Sequence, residues 1–189
     1  MTVVLGLDPS YTATGWALVD YDDPDLLHRA GTIRPHAYPD NGAGPALHEI
    51  ATEVRQLAID HQPIDIGIET PIVHKSAVAA VRLAQVSGAI LSHFWGHTID
   101  PEQVNNQART TAARAWLEAQ PADRRYDIVV ASKARIGRGV TADKALTWQS
   151  ACSRWGRSDL SVDEADAAWI AAVTIARLWD VIGEGGDAA

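Results

Sequence analysis

Cysteine is almost missing: Cys152 is the only one in 189 residues. A single thiol excludes an intrachain disulfide and any zinc site built on several cysteines. Long hydrophobic runs are missing too. The longest uncharged apolar stretch, roughly Ala167 to Ala176, falls far short of the ~20 residues that cross a bilayer. The N-terminus has no basic segment ahead of its apolar run and carries Asp8 early, so it does not read as a secretory signal. A cytoplasmic protein with no membrane partner is expected. Positive charge is scarce: 16 Lys and Arg face 24 Asp and Glu, a formal net of −8. That excludes a protein that coats DNA over its whole surface, because neutralising phosphates takes cations. Repeats and long linkers are absent, so a single domain over residues 1–182 is expected, with a polar tail at 183–189.

The basic residues that do occur are unevenly placed. Between Arg109 and Arg157 ten of them face four acids, a local +6 that leaves −14 for the remainder. A basic region on an acidic body fits a local nucleic-acid footprint and equally a solvated surface.

Three short β-branched and apolar runs open the chain, Thr2–Leu7, Trp16–Asp20 and Leu27–Ile33, separated by turn-forming residues; they predict a meander. Apolar residues at Leu47, Ile50, Val54, Leu57 and Ala58 predict a helix from about Ala46 to His61. Ile64–Ile68 reads as a buried strand ending at Glu69. Ser76 to about Trp95 reads as a long Ala-rich helix, Thr98-Ile99 as a short strand, and Gln103–Ala119 as a helix stopped by Pro121. Ala122–Gly139 reads as a basic loop, with a short strand at Tyr126–Ala131 as the alternative. Thr141–Trp155 and a final segment to about Ile182 read as helices. Ser161 and Glu164 have the spacing of a capping box for the last one. Trp16 and Trp169 read as core; Trp148 and Trp155 suit either base stacking or one packed helix face.

Four acids stand where chemistry is expected. Asp8 ends the first strand and Glu69 the fourth, and strand ends are where α/β folds place reactive groups. Asp163 and Asp166, three apart, share the first-turn face of a helix. Each acid alone also has an ordinary use, in a turn or near a helix N-terminus. Gathered together they would repel and pay desolvation, a cost that a hard divalent cation such as Mg²⁺ or Mn²⁺ relieves. Two such ions would suit phosphodiester hydrolysis.

The chain resembles a known family in several stretches, in order. Leu5-Gly-Leu-Asp8-Pro-Ser with Thr14-Gly-Trp-Ala17, then Ile66-Gly-Ile-Glu69, resemble the acidic strands of the RuvC-type Holliday junction resolvases. Val81-Arg-Leu-Ala-Gln-Val-Ser-Gly-Ala-Ile90 resembles their interface helix. Ala142-Asp-Lys144 and Val162-Asp-Glu-Ala-Asp-Ala-Ala168 resemble their closing motifs. The resemblance implies an α/β fold of RNase H-like type, a mixed five-stranded sheet flanked by helices. It implies a homodimer that nicks branched DNA at four-way junctions with Mg²⁺ or Mn²⁺, two ions per site. Asp8 would bridge both ions, Glu69 would hold one, and Asp166 with Asp163 the other, while Lys144 would lie near the scissile phosphate.

Departures accompany the likeness. Ile72 stands where the family carries an aromatic residue three positions after its second acid. No second basic residue of the site is evident around Val104-Asn-Asn-Gln107. His74 and Lys75 read as a surface pair. The stretch from Arg114 to Gly139 is expanded, and Arg124, Arg125, Lys133, Arg135 and Arg138, together with Lys144, are the expected DNA contacts. Alternatives are a broad debranching or flap endonuclease of the same fold, and a non-catalytic junction binder, which would need a broken acid set.

Overall fold

The computed structural model describes residues 1–36, 43–70, 77–94, 101–136 and 140–185. Among the described residues there are five strands: β1 (Val3–Asp8), β2 (Thr14–Asp20), β3 (Leu27–Ile33), β4 (Asp65–Glu69) and β5 (Glu102–Val104). Six helices accompany them: α1 (Gly44–His61), α2 (Ala77–Ser92), α3 (Asn106–Glu118), α4 (Ala122–Lys133), α5 (Ala142–Arg154) and α6 (Val162–Gly185). The sheet order is β3-β2-β1-β4-β5. β1–β2 and β2–β3 pair antiparallel; β1–β4 and β4–β5 pair parallel. This is the expected mixed five-stranded sheet.

Alternation along the strands sorts side chains onto the two faces. Val3, Leu5, Leu7, Ile66 and Ile68 enter the core beneath α1 and α2, with Ile50, Val54, Val86 and Ile90. Val4, Ala17 and Val19 enter the other core, around Trp169 of α6. Asp8 and Glu69 continue the second set: Asp8 is in phase with Val4 and Gly6, and Glu69 with Gly67. Both carboxylates therefore leave the sheet on the side that α6 covers.

α6 lies unusually close to that face, because small residues meet there. A Cβ built on Gly6 would stand 2.0 Å from the Ala167 carbonyl oxygen, and one on Gly15 2.2 Å from that of Asp163. Ala165, Ala167, Ala168 and Ala171 give α6 the matching smooth surface. Its start is fixed by the capping box: Glu164 N–H donates to Ser161 Oγ (3.2 Å) and Ser161 N–H to Glu164 Oε2 (2.8 Å).

Three readings change. Residues 122–133 form helix α4, not a loop or a strand. Its buried stripe is narrow, Ile128 and Ser132, so the apolar period is too faint to read. β5 occupies Glu102–Val104, overlapping the start of the helix expected from Gln103; α3 begins only after Asn105, whose side chain accepts from Ala108 N–H. Thr98-Ile99 lies outside the described residues. α6 runs to Gly185, into the stretch read as tail. Three tryptophans serve packing: Trp169 is fully buried, and the indoles of Trp148 and Trp155 donate to the carbonyls of Leu160 and Pro24.

Gly6→Ala tests the close approach. Alanine is ordinarily the better strand residue, but here overpacking should cost about 3 kcal/mol in denaturant unfolding. An unchanged midpoint would contradict the contact.

Candidate active site

The parallel register pairs Leu7 with Ile68, so Asp8 and Glu69, one residue further, emerge side by side at the end of the sheet. α6 supplies Asp166 from above, 1% exposed. α3 follows β5 immediately and brings Arg109; α5, capped by Thr141, brings Lys144. These five side chains line one polar cavity of about 370 Å³, with Asn106, Thr110, Thr141, Asp143 and Thr147. A wider groove of about 570 Å³ between α3 and α6 holds none of the acids, so chemistry rather than size identifies the site.

Arg109 sits in the middle and is 7% exposed. Its Nη1 lies 3.1 Å from Asp166 Oδ2, 3.8 Å from Glu69 Oε1 and 3.9 Å from Asp8 Oδ1. Nη2 donates to Asn106 Oδ1 at 2.9 Å. Lys144 Nζ is 3.9 Å from Asp166 Oδ2 and 4.0 Å from Asp163 Oδ1. The structure thus brings Asp8, Glu69, Asp166 and Lys144 together. Asp163 stands at the rim, against Lys144, and does not line the cavity.

Arg109 is the site residue that the sequence reading left out. Its signal is faint: a cation one turn into a helix whose start is visible only once β5 is placed. Burial works against the guanidinium, but Asp166, Glu69 and Asp8 together hold its pKa above the ordinary value.

Electrostatics remain unbalanced. Asp143 is paired with Arg114; the other four carboxylates, Asp163 included, face Arg109 and Lys144, a formal −2 when all are ionised. Burial first, then the Asp166 charge and the hydrogen bond and charge of Glu69, push Asp8 well up, against Arg109. Burial lifts Asp166 to about 6, although Arg109 and Lys144 oppose it. Asp166 Oδ1 is buried without a hydrogen-bond partner, as are Arg109 Nε and Nη1. Among the described residues no three acidic, His or Cys side chains already form a cation cage; the guanidinium stands between the carboxylates. Hard oxygen donors, residual negative charge and an orphaned carboxylate oxygen nevertheless fit a divalent cation of the Mg²⁺ or Mn²⁺ kind.

The basic residues of α4 are partly occupied. Arg124 lies over the Trp116 ring, 5.5 Å from its centroid, and donates to the Ser153 carbonyl; Arg135 lies over Trp148 at 4.1 Å. Arg125 donates to the Glu118 carbonyl. All three and Lys133 remain exposed. Arg138, Ile72, His74 and Lys75 lie outside the described residues. No described helix is long and apolar enough to cross a membrane.

The raised carboxyls have a sign. Asp166 binds its proton more tightly folded, at about 6, than in its ordinary state at 3.8. Its contribution is complete below the lower value and lost as pH rises through the upper one. Without metal, the melting temperature should therefore fall between pH 5 and 7.5 more than in Asp166→Asn, a stability difference of about 1.4 kcal/mol across that window. Added Mn²⁺ should raise it more at pH 7.5 than at pH 5. Identical pH slopes in both proteins would refute this electrostatic picture.

Comparison with known proteins follows the same lines. The family model described as crossover junction endodeoxyribonuclease RuvC matches residues 4–114. A RuvC of Halorhodospira halophila is 33% identical over 92 residues, 49% of this chain and 54% of that protein. One of Methylococcus capsulatus is 26% identical over 174 residues, 90% of this chain and 88% of that protein. The match thus spans about half the length of the first relative and most of the second. Thermus thermophilus RuvC in complex with Holliday junction substrate superposes with a TM-score of 0.68 at 15% identity, covering 94% of this chain and 96% of that one. The yeast mitochondrial Holliday junction resolvase Ydc2 gives 0.58 at 10%, covering 92% and 78%. These two show a shared fold of RNase H-like type. With its acids on β1, β4 and α6 of that fold and the family match over most of the sheet, the chain belongs to the RuvC family of crossover junction endodeoxyribonucleases.

Proposed function

We propose that the protein is a metal-dependent endonuclease that resolves four-way DNA junctions by paired phosphodiester hydrolysis, acting as a homodimer in the cytoplasm. One observation carries the reading: Asp8, Glu69 and Asp166, from three separate elements, meet in a single polar cavity with Arg109 and Lys144. Nucleases of this family depend on a metal ion, and the acid set is intact, which disfavours a purely binding role.

Asp8, Glu69 and Asp166 would hold two Mg²⁺ or Mn²⁺ ions, with Asp163 assisting from the rim. Such ions lower the pKa of water and stabilise charge on the reacting oxygens. Lys144, about a third exposed, is placed to approach a scissile phosphate and stabilise its developing charge. Arg109 is too buried to reach into solvent; its task is to balance the carboxylates and fix their orientation. Arg124, Arg125, Lys133 and Arg135 on and just beyond α4, with Arg138, would grip the junction arms through phosphates, which sets the register but not the sequence. The exposed Val81, Ala84 and Gly88 on α2, spaced three and four apart, form a small-residue stripe suited to a twofold contact with a second copy.

Cleavage of a labelled four-way junction tests the reading, with duplex and flap controls. Expected are symmetric nicks with Mg²⁺ or Mn²⁺, none with chelator, and at least about a hundredfold loss in Asp8→Asn. Undiminished cutting by Asp8→Asn would refute the assignment, and equal cutting of flaps would replace it with a general debranching activity.

A further inference from the structure

A second cavity opens where the chain leaves β1 after Asp8, on the α2 side of the sheet. Pro9, Ser10, Tyr11 and Thr12, which follow Asp8 directly, face Val78, Ala79, Arg82 and Leu83 of α2 across about 370 Å³. Resting on the junction-cleaving reading above, we propose that this cavity takes a nucleobase flanking the scissile phosphodiester and so reads the cleavage sequence.

Position comes first. Ser10 is two residues from Asp8, at most about 7 Å of extended chain. That is about two base-pair rises along a duplex axis, so a strand whose phosphate lies at Asp8 has a neighbouring nucleotide within reach of the cavity.

Shape is fixed before any ligand arrives. Thr14 is fully buried; its hydroxyl donates to the Ser10 carbonyl (3.0 Å) and accepts from Ser10 N–H (3.2 Å). The Tyr11 hydroxyl donates to Gln85 Oε1 on α2 at 2.9 Å, which ties the loop to the helix. A preformed cavity avoids the ordering cost of binding.

The lining suits a base better than a phosphate alone. Tyr11 offers a ring for stacking, and Val78, Ala79 and Leu83 offer apolar surface. Val78 is 63% exposed, a large fraction for a side chain in a cavity wall. Arg82 presents a planar guanidinium and makes no ion pair among the described residues; its fork can meet a base edge or stack on a base face. The Ser10 and Thr12 hydroxyls add groups that donate or accept. Among the described residues no carboxylate lines the cavity. A lone phosphate would use Arg82 and leave the apolar wall wet.

The test uses four-way junctions carrying an abasic site, or 2-aminopurine, at each nucleotide flanking the cut. The full-length wild type is compared with Tyr11→Phe, Tyr11→Ala and Arg82→Ala, with melting temperatures confirming folding. One abasic position should slow wild-type cleavage about tenfold. Tyr11→Ala and Arg82→Ala should cut the intact junction about tenfold more slowly and be indifferent to the abasic site, while Tyr11→Phe stays near wild type. In chelator, 2-aminopurine at that position should lose fluorescence on binding wild type and not Tyr11→Ala. Wild type that ignores every abasic site overturns the proposal. So does Arg82→Ala that merely flattens salt dependence, the mark of a backbone phosphate. Wild type that cuts no branched DNA removes the parent reading and the cavity's role together, and is distinguished by matching Asp8→Asn.

Discussion

The site depends on how closely α6 can lie on the sheet. With Gly6 and Gly15 on the strands and a run of alanines on the helix, backbone meets side-chain-free backbone. A larger residue at either glycine would lift the helix, and Asp166 with it, away from Asp8. The same closeness buries Asp166 and leaves its Oδ1 without a hydrogen-bond partner. Packing and electrostatics are therefore one constraint: the contact that builds the core also compresses the acids.

The compression is a stored cost. At neutral pH the fold carries buried carboxylates that hold their protons more tightly than they would in the unfolded chain. Arg109 offsets part of it, at distances of 3.1 to 3.9 Å, yet its Nη1 and Nε make no aligned hydrogen bond. A guanidinium hydrogen-bonded through Nη2 alone is a partial solution. It holds the cluster together while leaving a free-energy gain for cations that coordinate oxygen directly. Function here draws on an arrangement that stability alone would not select.

Much of this was legible in the sequence. Asp8 and Glu69 were visible because strand ends announce themselves through β-branched runs followed by turn residues. Asp163 and Asp166 were visible through the capping box that starts their helix. Ranking that pair needed three dimensions, since only the rotation of α6 on the sheet sends Asp166 inward and Asp163 to the rim. α4 was missed because two buried residues make too narrow a stripe for a periodic reading. Arg109 was missed because three-residue β5 carries little pattern, and without it the start of α3 slides. Its role is set by a tertiary meeting of β1, β4, α3 and α6 that no local window contains. Arg124 and Arg135 were legible as cations but not as partners of Trp116 and Trp148, because those rings lie on other helices.

The central claim is that the space now held by the Arg109 guanidinium is where divalent cations act. Crystals grown with Mn²⁺ and measured for its anomalous scattering address that directly. Manganese density touching Asp8, Glu69 and Asp166, with Arg109 Nη1 moved off Asp166, is the expected result. Manganese bound elsewhere, or none while Arg109 stays among the three carboxylates, would contradict it.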